Sequence, residues 1–258
     1  MRRIYDLFVS GGKDSVVAAT VTHRKAKGEG VEARVVYIDE LKAFGIPRNL
    51  LEHDPLEYVK RFASWLGVDV LVLESDFDYW EGVKRWGYPL IFDKRWCFDF
   101  LKKRPLERLV VEERREGLQA IWVTGIRRVE SQRRGMIYRS NKSIIKVGGS
   151  YVEYYHPILD WTDDQVERFI RDNGIPENPL WRLGFSFECL CMAGMSITKL
   201  DRMIEEAPRL VMWLAERDRE VQEARRRGPA YVNPLLSKRI PLCEYVKMKM
   251  EQKKILDF

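Results

Sequence analysis

Six consecutive residues near the start of the chain, Ser10-Gly11-Gly12-Lys13-Asp14-Ser15, bring together groups suited to holding an anion. Two glycines let backbone N–H groups approach phosphate oxygens with no Cβ in the way, and a helix starting at this point adds the partial positive charge of its N-terminus. Lys13 contributes a full charge, and Ser10 and Ser15 contribute hydroxyl donors. Asp14 supplies a carboxylate that orients the turn or meets a magnesium ion carried by a nucleotide. A glycine pair by itself more often marks a plain tight turn. Here the preceding apolar run and the following helix pattern place the hexapeptide at a strand-to-helix junction, where phosphate binding is the reading with a mechanism. The spacing is not that of the ATPase and GTPase loop, which needs four residues between its first glycine and the Gly-Lys pair.

Other residues carry chemistry further along. Gly125, Arg127, Glu130, Ser131 and Arg133 follow the apolar run 120–123, so they are expected at the rim where that strand ends. Guanidinium forks suit bidentate contacts to phosphate or sulfate, with Glu130 as an orienting partner; a solvated basic helix face is the alternative. Asp39 closes an earlier apolar run, either as part of a ligand rim or as a loop carboxylate. His156 is expected to be structural. The four cysteines, Cys97, Cys189, Cys191 and Cys243, are open to three readings: buried filler, metal ligands or reactive thiols.

The elements that would position these groups alternate. Apolar runs at 4–9, 33–38, 68–73 and 120–123 read as strands, and the stretches 15–24, 56–66 and 106–115 have helical spacing between them. This alternation predicts an α/β fold: a doubly wound, mostly parallel sheet whose ligand lies beyond the carboxyl ends of the strands. Residues 79–86 are aromatic-rich and are expected to pack in a core or a lid. After about residue 160 the pattern becomes helical, with helices expected at 166–173, 197–206 and 210–227 and a basic tail helix at 247–254. The expected division is therefore a nucleotide-binding domain over 1–160 and a smaller helical C-terminal region over 161–258, carrying three of the four cysteines.

With 258 residues, 45% of them hydrophobic, the chain can bury a core, and disorder is not expected. The net charge of +6 rests on 45 basic and 39 acidic residues, which favours anionic ligands without resembling a polycation. No apolar run is long enough to cross a bilayer, so a cytoplasmic protein without a membrane partner is expected. Oligomeric state is not readable from the sequence.

The hexapeptide resembles the PP-loop of the ATP pyrophosphatase superfamily, a Rossmann-like fold. Further segments resemble the phosphoadenylyl-sulfate (PAPS) reductase family within it: Arg95-Trp96-Cys97 with Lys102-Lys103-Arg104-Pro105-Leu106, Thr124 to Arg133, Tyr155-His156-Pro157-Ile158-Leu159-Asp160-Trp161, and Ile175-Pro176-Glu177-Asn178-Pro179-Leu180. The resemblance runs from Val9 to about Ala193. It implies nucleotide contacts from Ser10, Gly11, Gly12, Lys13, Asp14, Ser15, Asp39, Gly125, Arg127, Ser131 and Arg133, with Lys13 taking part in catalysis. It also implies a possible [4Fe–4S] cluster on Cys97, Cys189, Cys191 and Cys243, since such a cluster needs four thiolates. The pattern departs from cluster-bearing relatives: Phe98 follows Cys97, and the second pair is Cys189-Leu190-Cys191 instead of Cys-x-x-Cys. The reductases' C-terminal Glu-Cys-Gly-(Ile/Leu)-His setting is missing around Cys243, which is left as a candidate nucleophile only if its neighbours depress its pKa.

Three functions compete. The first is thiol-dependent reduction of adenylyl sulfate or PAPS, with a thioredoxin-like or other thiol donor. The second uses ATP and magnesium to adenylylate an acceptor, tRNA, DNA or a small molecule, for sulfur transfer. The third is a nucleic-acid or partner-binding module with a regulatory nucleotide site, suggested by Arg225-Arg226-Arg227 and the lysines of 247–254.

Overall fold

The computed structural model describes residues 2–89, 95–184, 190, 196–224 and 240–256. The chain separates into two compact units, each assembled from three stretches: Met1–Asp39, His53–Glu74 and Lys103–Ser186 in the first, and Glu40–Glu52, Ser75–Lys102 and Phe187–Phe258 in the second.

The first unit is a doubly wound α/β layer structure, as the alternation of the sequence predicts. In chain order, the elements of both units begin with β1 (Arg2–Phe8), α1 (Lys13–Glu29), β2 (Glu32–Asp39), α2 (Glu40–Ala43), α3 (Pro55–Leu66) and β3 (Val70–Glu74). They continue with α4 (Tyr79–Trp86), α5 (Trp96–Phe98), α6 (Arg104–Arg115), β4 (Leu118–Val123), α7 (Gln132–Ile137), β5 (Lys142–Val147), β6 (Ser150–Tyr155), α8 (Asp163–Asp172) and α9 (Leu180–Leu183). Helices α10 (Ile197–Glu206), α11 (Pro208–Ala224) and α12 (Leu242–Leu256) complete the described chain.

The sheet order is β3-β2-β1-β4-β6-β5. All neighbours run parallel except β5, which pairs antiparallel with β6 at one edge. The β5–β6 hairpin is not among the elements expected from the sequence. Its turn is Gly148-Gly149 with both φ positive, 53° and 81°, the two-residue connection that matches strand twist and that a Gly-Gly pair between alternating segments announces.

Each face of the sheet is covered. Tyr5, Leu7, Val16, Val17, Val35, Phe62 and Ile121 form one apolar cluster under α1, α3 and α8. The opposite face packs Leu109 and Val110 of α6 on Val36, Trp122, Val147 and Val152. Small residues Ala18, Ala19 and Ala26 let α1 lie close to the strands, and Gly30, in the left-handed conformation at φ 66°, ends it. Within the second face lies a buried polar group. Arg34 bridges Asp6 (Nε to Oδ1, 2.7 Å) and Glu113 (Nη2 to Oε1, 3.1 Å), and Trp122 Nε1 donates to Glu113 Oε2 at 3.4 Å. Burial, and next the neighbouring Asp6 carboxyl, push the Glu113 pKa upward.

The second unit is helical. Its aromatic segment packs as core: α4 buries Tyr79 and Trp80, and Phe77, Trp86, Trp96 and Phe100 stack on one another. Among the described residues no helix is long and apolar enough to cross a membrane.

Candidate functional site

The turn after β1 is shaped by one backbone conformation. Gly11 has φ +91°, and a Cβ there would stand 3.1 Å from Asn178 Nδ2, so a side chain at this position meets both strain and a neighbour. Gly12 caps α1 with no side-chain hydrogen bond, which leaves the amides of the first turn to an external acceptor. The serines close the loop on itself. Ser15 Oγ donates to Gly12 O (2.8 Å) and accepts from Ser10 N (3.3 Å), and Ser10 Oγ accepts from Gly12 N (3.4 Å).

The Gly11 carbonyl is turned away from the loop and fixed by two donors, Asn178 Nδ2 at 3.0 Å and Trp181 Nε1 at 2.8 Å. Asn178 is buried, and its Oδ1 accepts from Leu180 N at 3.1 Å. Tyr58 supports the segment by donating to Pro176 O at 2.9 Å and meeting Trp181 edge to face. Because a peptide is planar, holding the Gly11 C=O toward Asn178 aims the Gly12 N–H to the opposite side, into the turn. Sequence reasoning picked out 175–180 as a family-like segment but gave Asn178 no role, and Trp181 was missed.

Gly125 lies where the loop after β4 touches the start of α1. A Cβ there would come within 2.5 Å of the Asp14 carbonyl carbon and 2.7 Å of Ser15 N, so the two backbones are in direct contact. Arg127, expected as an anion fork, is buried and engaged by protein. Its Nε lies 2.9 Å from Asp14 Oδ2, its Nη2 2.7 Å from Asp163 Oδ1, and its Nη1 donates to Trp161 O at 3.3 Å. The Nε contact is an ion pair without an aligned hydrogen bond. Asp14 thus orients the turn through Arg127. Ser131 caps α7 by accepting from Arg134 N at 3.2 Å, and Glu130 pairs with Arg134. Arg133 lies on α7, with its side chain outside the described set. Asp39 is buried at the end of β2, opposite Glu74 of β3.

Lys13 points toward α8, where its Nζ is 2.9 Å from Glu167 Oε1. It lines a cleft of about 540 Å³ with Glu167, Ile170, Ile175, Trp181 and Arg182. His156 is buried beneath the β4 end, hydrogen-bonded to Thr124 Oγ1 (2.7 Å) and Ser143 Oγ (3.3 Å). Burial lowers its pKa to about 4, so at neutral pH it is an uncharged structural group.

Cys97 and Cys243 belong to the second unit. Cys189 and Cys191 lie outside the described residues. Cys97 is buried in α5, and Cys243 opens α12, its backbone N–H donating to the buried Asp218 carboxylate at 2.9 Å. Tyr88 donates to the same carboxylate. Burial first, then Asp218, raise the Cys243 thiol to about 11. A nucleophile needs the opposite shift, so the described residues around Cys243 do not activate it. Among the described residues no group of three or more His, Cys, Asp or Glu is placed to hold a metal.

A parallel sheet of this order, with a Ser-Gly-Gly turn leading from its central β1 into an uncapped helix, defines a PP-loop α/β protein. Residues 5–187 match the family model described as phosphoadenosine phosphosulfate reductase domain, and the chain belongs to that family. An uncharacterised protein of Methanocaldococcus jannaschii is 29% identical over 68% of this chain and 38% of its own length. An adenosine 5′-phosphosulfate reductase of Neisseria meningitidis is 28% identical over 61% of this chain and 60% of its own, and one of Rhizobium tropici is 32% identical over 34% and 44%. The chain thus spans less than two thirds of the length of these relatives. Among solved structures, the PAPS reductase of Candida auris in its phosphate complex aligns with a TM-score of 0.46 at 17% identity, covering 72% of this chain and 80% of that one. The U34-tRNA thiolase NcsA of Methanococcus maripaludis with its [4Fe–4S] cluster gives 0.46 at 15% identity, covering 96% and 80%.

Proposed function

We propose that this chain is a PP-loop enzyme that holds an adenine nucleotide by its phosphates at residues 10–15. The observation that carries the reading is the set of first-turn amides on α1, left without a side-chain cap and backed by a Gly11 carbonyl locked outward by Asn178 and Trp181. Gly125 and the Asp14–Arg127 pair hold the turn against the end of β4. Lys13 leaves Glu167 to meet the nucleotide's phosphates, and Asp39, Ser131 and Arg133 remain proposed contacts.

Of the two reactions, ATP-dependent adenylylation followed by sulfur transfer is favoured over sulfonucleotide reduction: the Glu-Cys-Gly-(Ile/Leu)-His setting of the reductases' attacking cysteine is missing around Cys243, and burial and Asp218 raise that thiol's pKa, whereas reduction needs an attacking thiolate. Magnesium would accompany ATP. A [4Fe–4S] cluster on Cys97, Cys189, Cys191 and Cys243 is proposed because the chain holds the four thiols such a cluster needs, and binding it would take the proton from the Cys243 thiol; iron and labile sulfide in anaerobically purified protein test it. The reaction is tested by offering the protein ATP with magnesium in one arm and adenylyl sulfate or PAPS with a dithiol in the other. Pyrophosphate in the first supports the proposal, while sulfite in the second restores the reductase reading. Lys13→Ala is expected to weaken nucleotide binding by about 1.5–3 kcal/mol, the worth of a charge-assisted contact.

A further inference from the structure

One described stretch of the chain carries a marked excess of positive charge. Between Arg128 and Lys146 stand six basic residues, Arg128, Arg133, Arg134, Arg139, Lys142 and Lys146, against Glu130 alone, in a chain whose total is +6. The same stretch, extended to Tyr151, holds the most exposed large apolar side chains. Val129, Met136, Ile137, Ile144 and Tyr151 are 57% to 74% exposed, whereas no other described one exceeds 47%. Isolated apolar residues on a surface mean little, but five together on a basic stretch mark a binding face.

The hairpin gives this face its pattern. Residues two apart on a strand share a side, and so do directly opposed residues of a pair. Lys142, Ile144 and Lys146 therefore share one side of β5, and Tyr151 of β6 joins them directly across from Lys146, as does Glu153 across from Ile144; Glu153 pairs with Lys142 at 3.6 Å, so Lys142 must leave it to meet a phosphate, and Lys146 and Arg139 keep the side basic. The other side, with Ile145, Val147, Val152 and Tyr154, is the one buried under α6. β5 is the last strand of the sheet. The α7 segment, which runs directly into β5 in the chain, is closed on itself by Arg128, whose Nε donates to Tyr138 O at 2.8 Å and whose Nη2 donates to Arg139 O at 2.7 Å.

From this we infer that the β5–β6 face and the α7 segment bind single-stranded nucleic acid, with Lys142, Lys146 and Arg139 on phosphates and Tyr151 stacked on a base. A polyanion whose repeating unit also carries a flat apolar ring matches a face that alternates ammonium groups with apolar side chains, and such stacking tolerates any base. A lipid surface fits less well, because Ile144 lies between two lysines on the strand and cannot be immersed without them. A second copy of the chain would set like charge against like charge across a two-fold axis. The inference uses charge and exposure alone and stands independently of the nucleotide site.

The test measures binding of labelled oligo(U) and oligo(dT), about 20 nucleotides long to exceed one site, by anisotropy over a range of salt. The intact chain is expected to bind at least one of them, with log K falling as salt rises. The double variant K142E/K146E should bind at least tenfold more weakly and flatten the salt slope by about 0.7 for each phosphate it no longer neutralises. Tyr151→Ala should cost about tenfold with the slope unchanged, since stacking releases no counterions. All three positions are exposed, so unchanged thermal melting is expected. Absence of binding overturns the inference. So does equal binding of poly-glutamate, binding of phosphatidylserine vesicles in place of RNA and DNA, or a concentration-dependent dimer that Tyr151→Ala dissolves. Loss of binding on Lys247→Glu in α12 with Tyr151→Ala silent overturns it as well.

Discussion

Replacing Gly125 by alanine probes the contact between the loop after β4 and the start of α1. The added Cβ would lie 2.5 Å from the Asp14 carbonyl carbon, 2.6 Å from its oxygen and 2.7 Å from Ser15 N, where ordinary contact begins at 3.4 Å. These neighbours are backbone and cannot swing away, so the two segments must part by about 0.9 Å, an overpacking that costs about 1–3 kcal/mol. The displacement falls on the α1 turn, because Gly11 is held on its far side by Asn178 and Trp181. Moving the first-turn amides by nearly an ångström weakens each charge-assisted bond to a phosphate, and the loss of one such bond is worth about 1.5–3 kcal/mol, a tenfold change in affinity or more. Thermal melting should fall by about 2–4 °C per kcal/mol for a protein of this size, and calorimetric titration with ATP should show the weaker binding. Gly135→Ala is the control, since its Cβ would meet nothing closer than Arg128 O at 3.7 Å. Wild-type melting together with wild-type ATP affinity in Gly125→Ala would refute the claim that this contact sets the turn.

Asn178→Ala should cost about 1–3 kcal/mol in unfolding experiments by leaving the buried Leu180 N–H unpaired, and Asn178→Asp should bind ATP still more weakly, because a carboxylate would face the Gly11 carbonyl oxygen; equal ATP affinity across the three proteins would count against the peptide lock. His156 has a folded pKa of about 4, below the unfolded value of roughly 6.5. The stability it contributes is present above the unfolded value and lost as pH falls toward the folded one, by about 3 kcal/mol in full. Urea unfolding from pH 7 down to pH 4 should show that slope, flattened in His156→Gln. Glu113 is shifted the other way, so its contribution is complete below the ordinary carboxylate range and declines as pH rises. Glu113→Gln, which mimics the neutral form, should gain stability relative to the parent at alkaline pH, and a parallel pH profile for the two proteins would exclude this.

The parallel core of the sheet was readable because β1, β2, β3 and β4 are short apolar runs separated by helical spacing, and each is found within a few residues of its expected ends. The hairpin escaped because β5 puts Lys142, Ile144 and Lys146 on one side, so its apolar signal is diluted by charge; Gly148-Gly149 was the readable cue. The turn at 10–15 was legible as a local word. Its clamp was not, since Asn178 and Trp181 reach Gly11 from the far end of the unit and no local spacing encodes that distance. Arg127 shows the same limit: a guanidinium beside a glycine turn reads as a ligand contact, but the partners that engage it, Asp14 and Asp163, are set by the packing of α1 and α8. Cys243 could be seen as a cysteine near the tail, whereas the Asp218 that controls its thiol becomes a neighbour only in the folded helices.

The order of the sheet bears on how the chain is made. β1 finds β2 soon after synthesis, but its other neighbour begins at Leu118, which pairs with Arg2, and two excursions into the second unit are translated in between. On the ribosome, the strand that leads into the glycine turn is therefore a bare sheet edge for much of elongation, open to mispairing until β4 emerges. No linear fragment excised from the chain reproduces either unit, so truncation is a poor route to studying them apart.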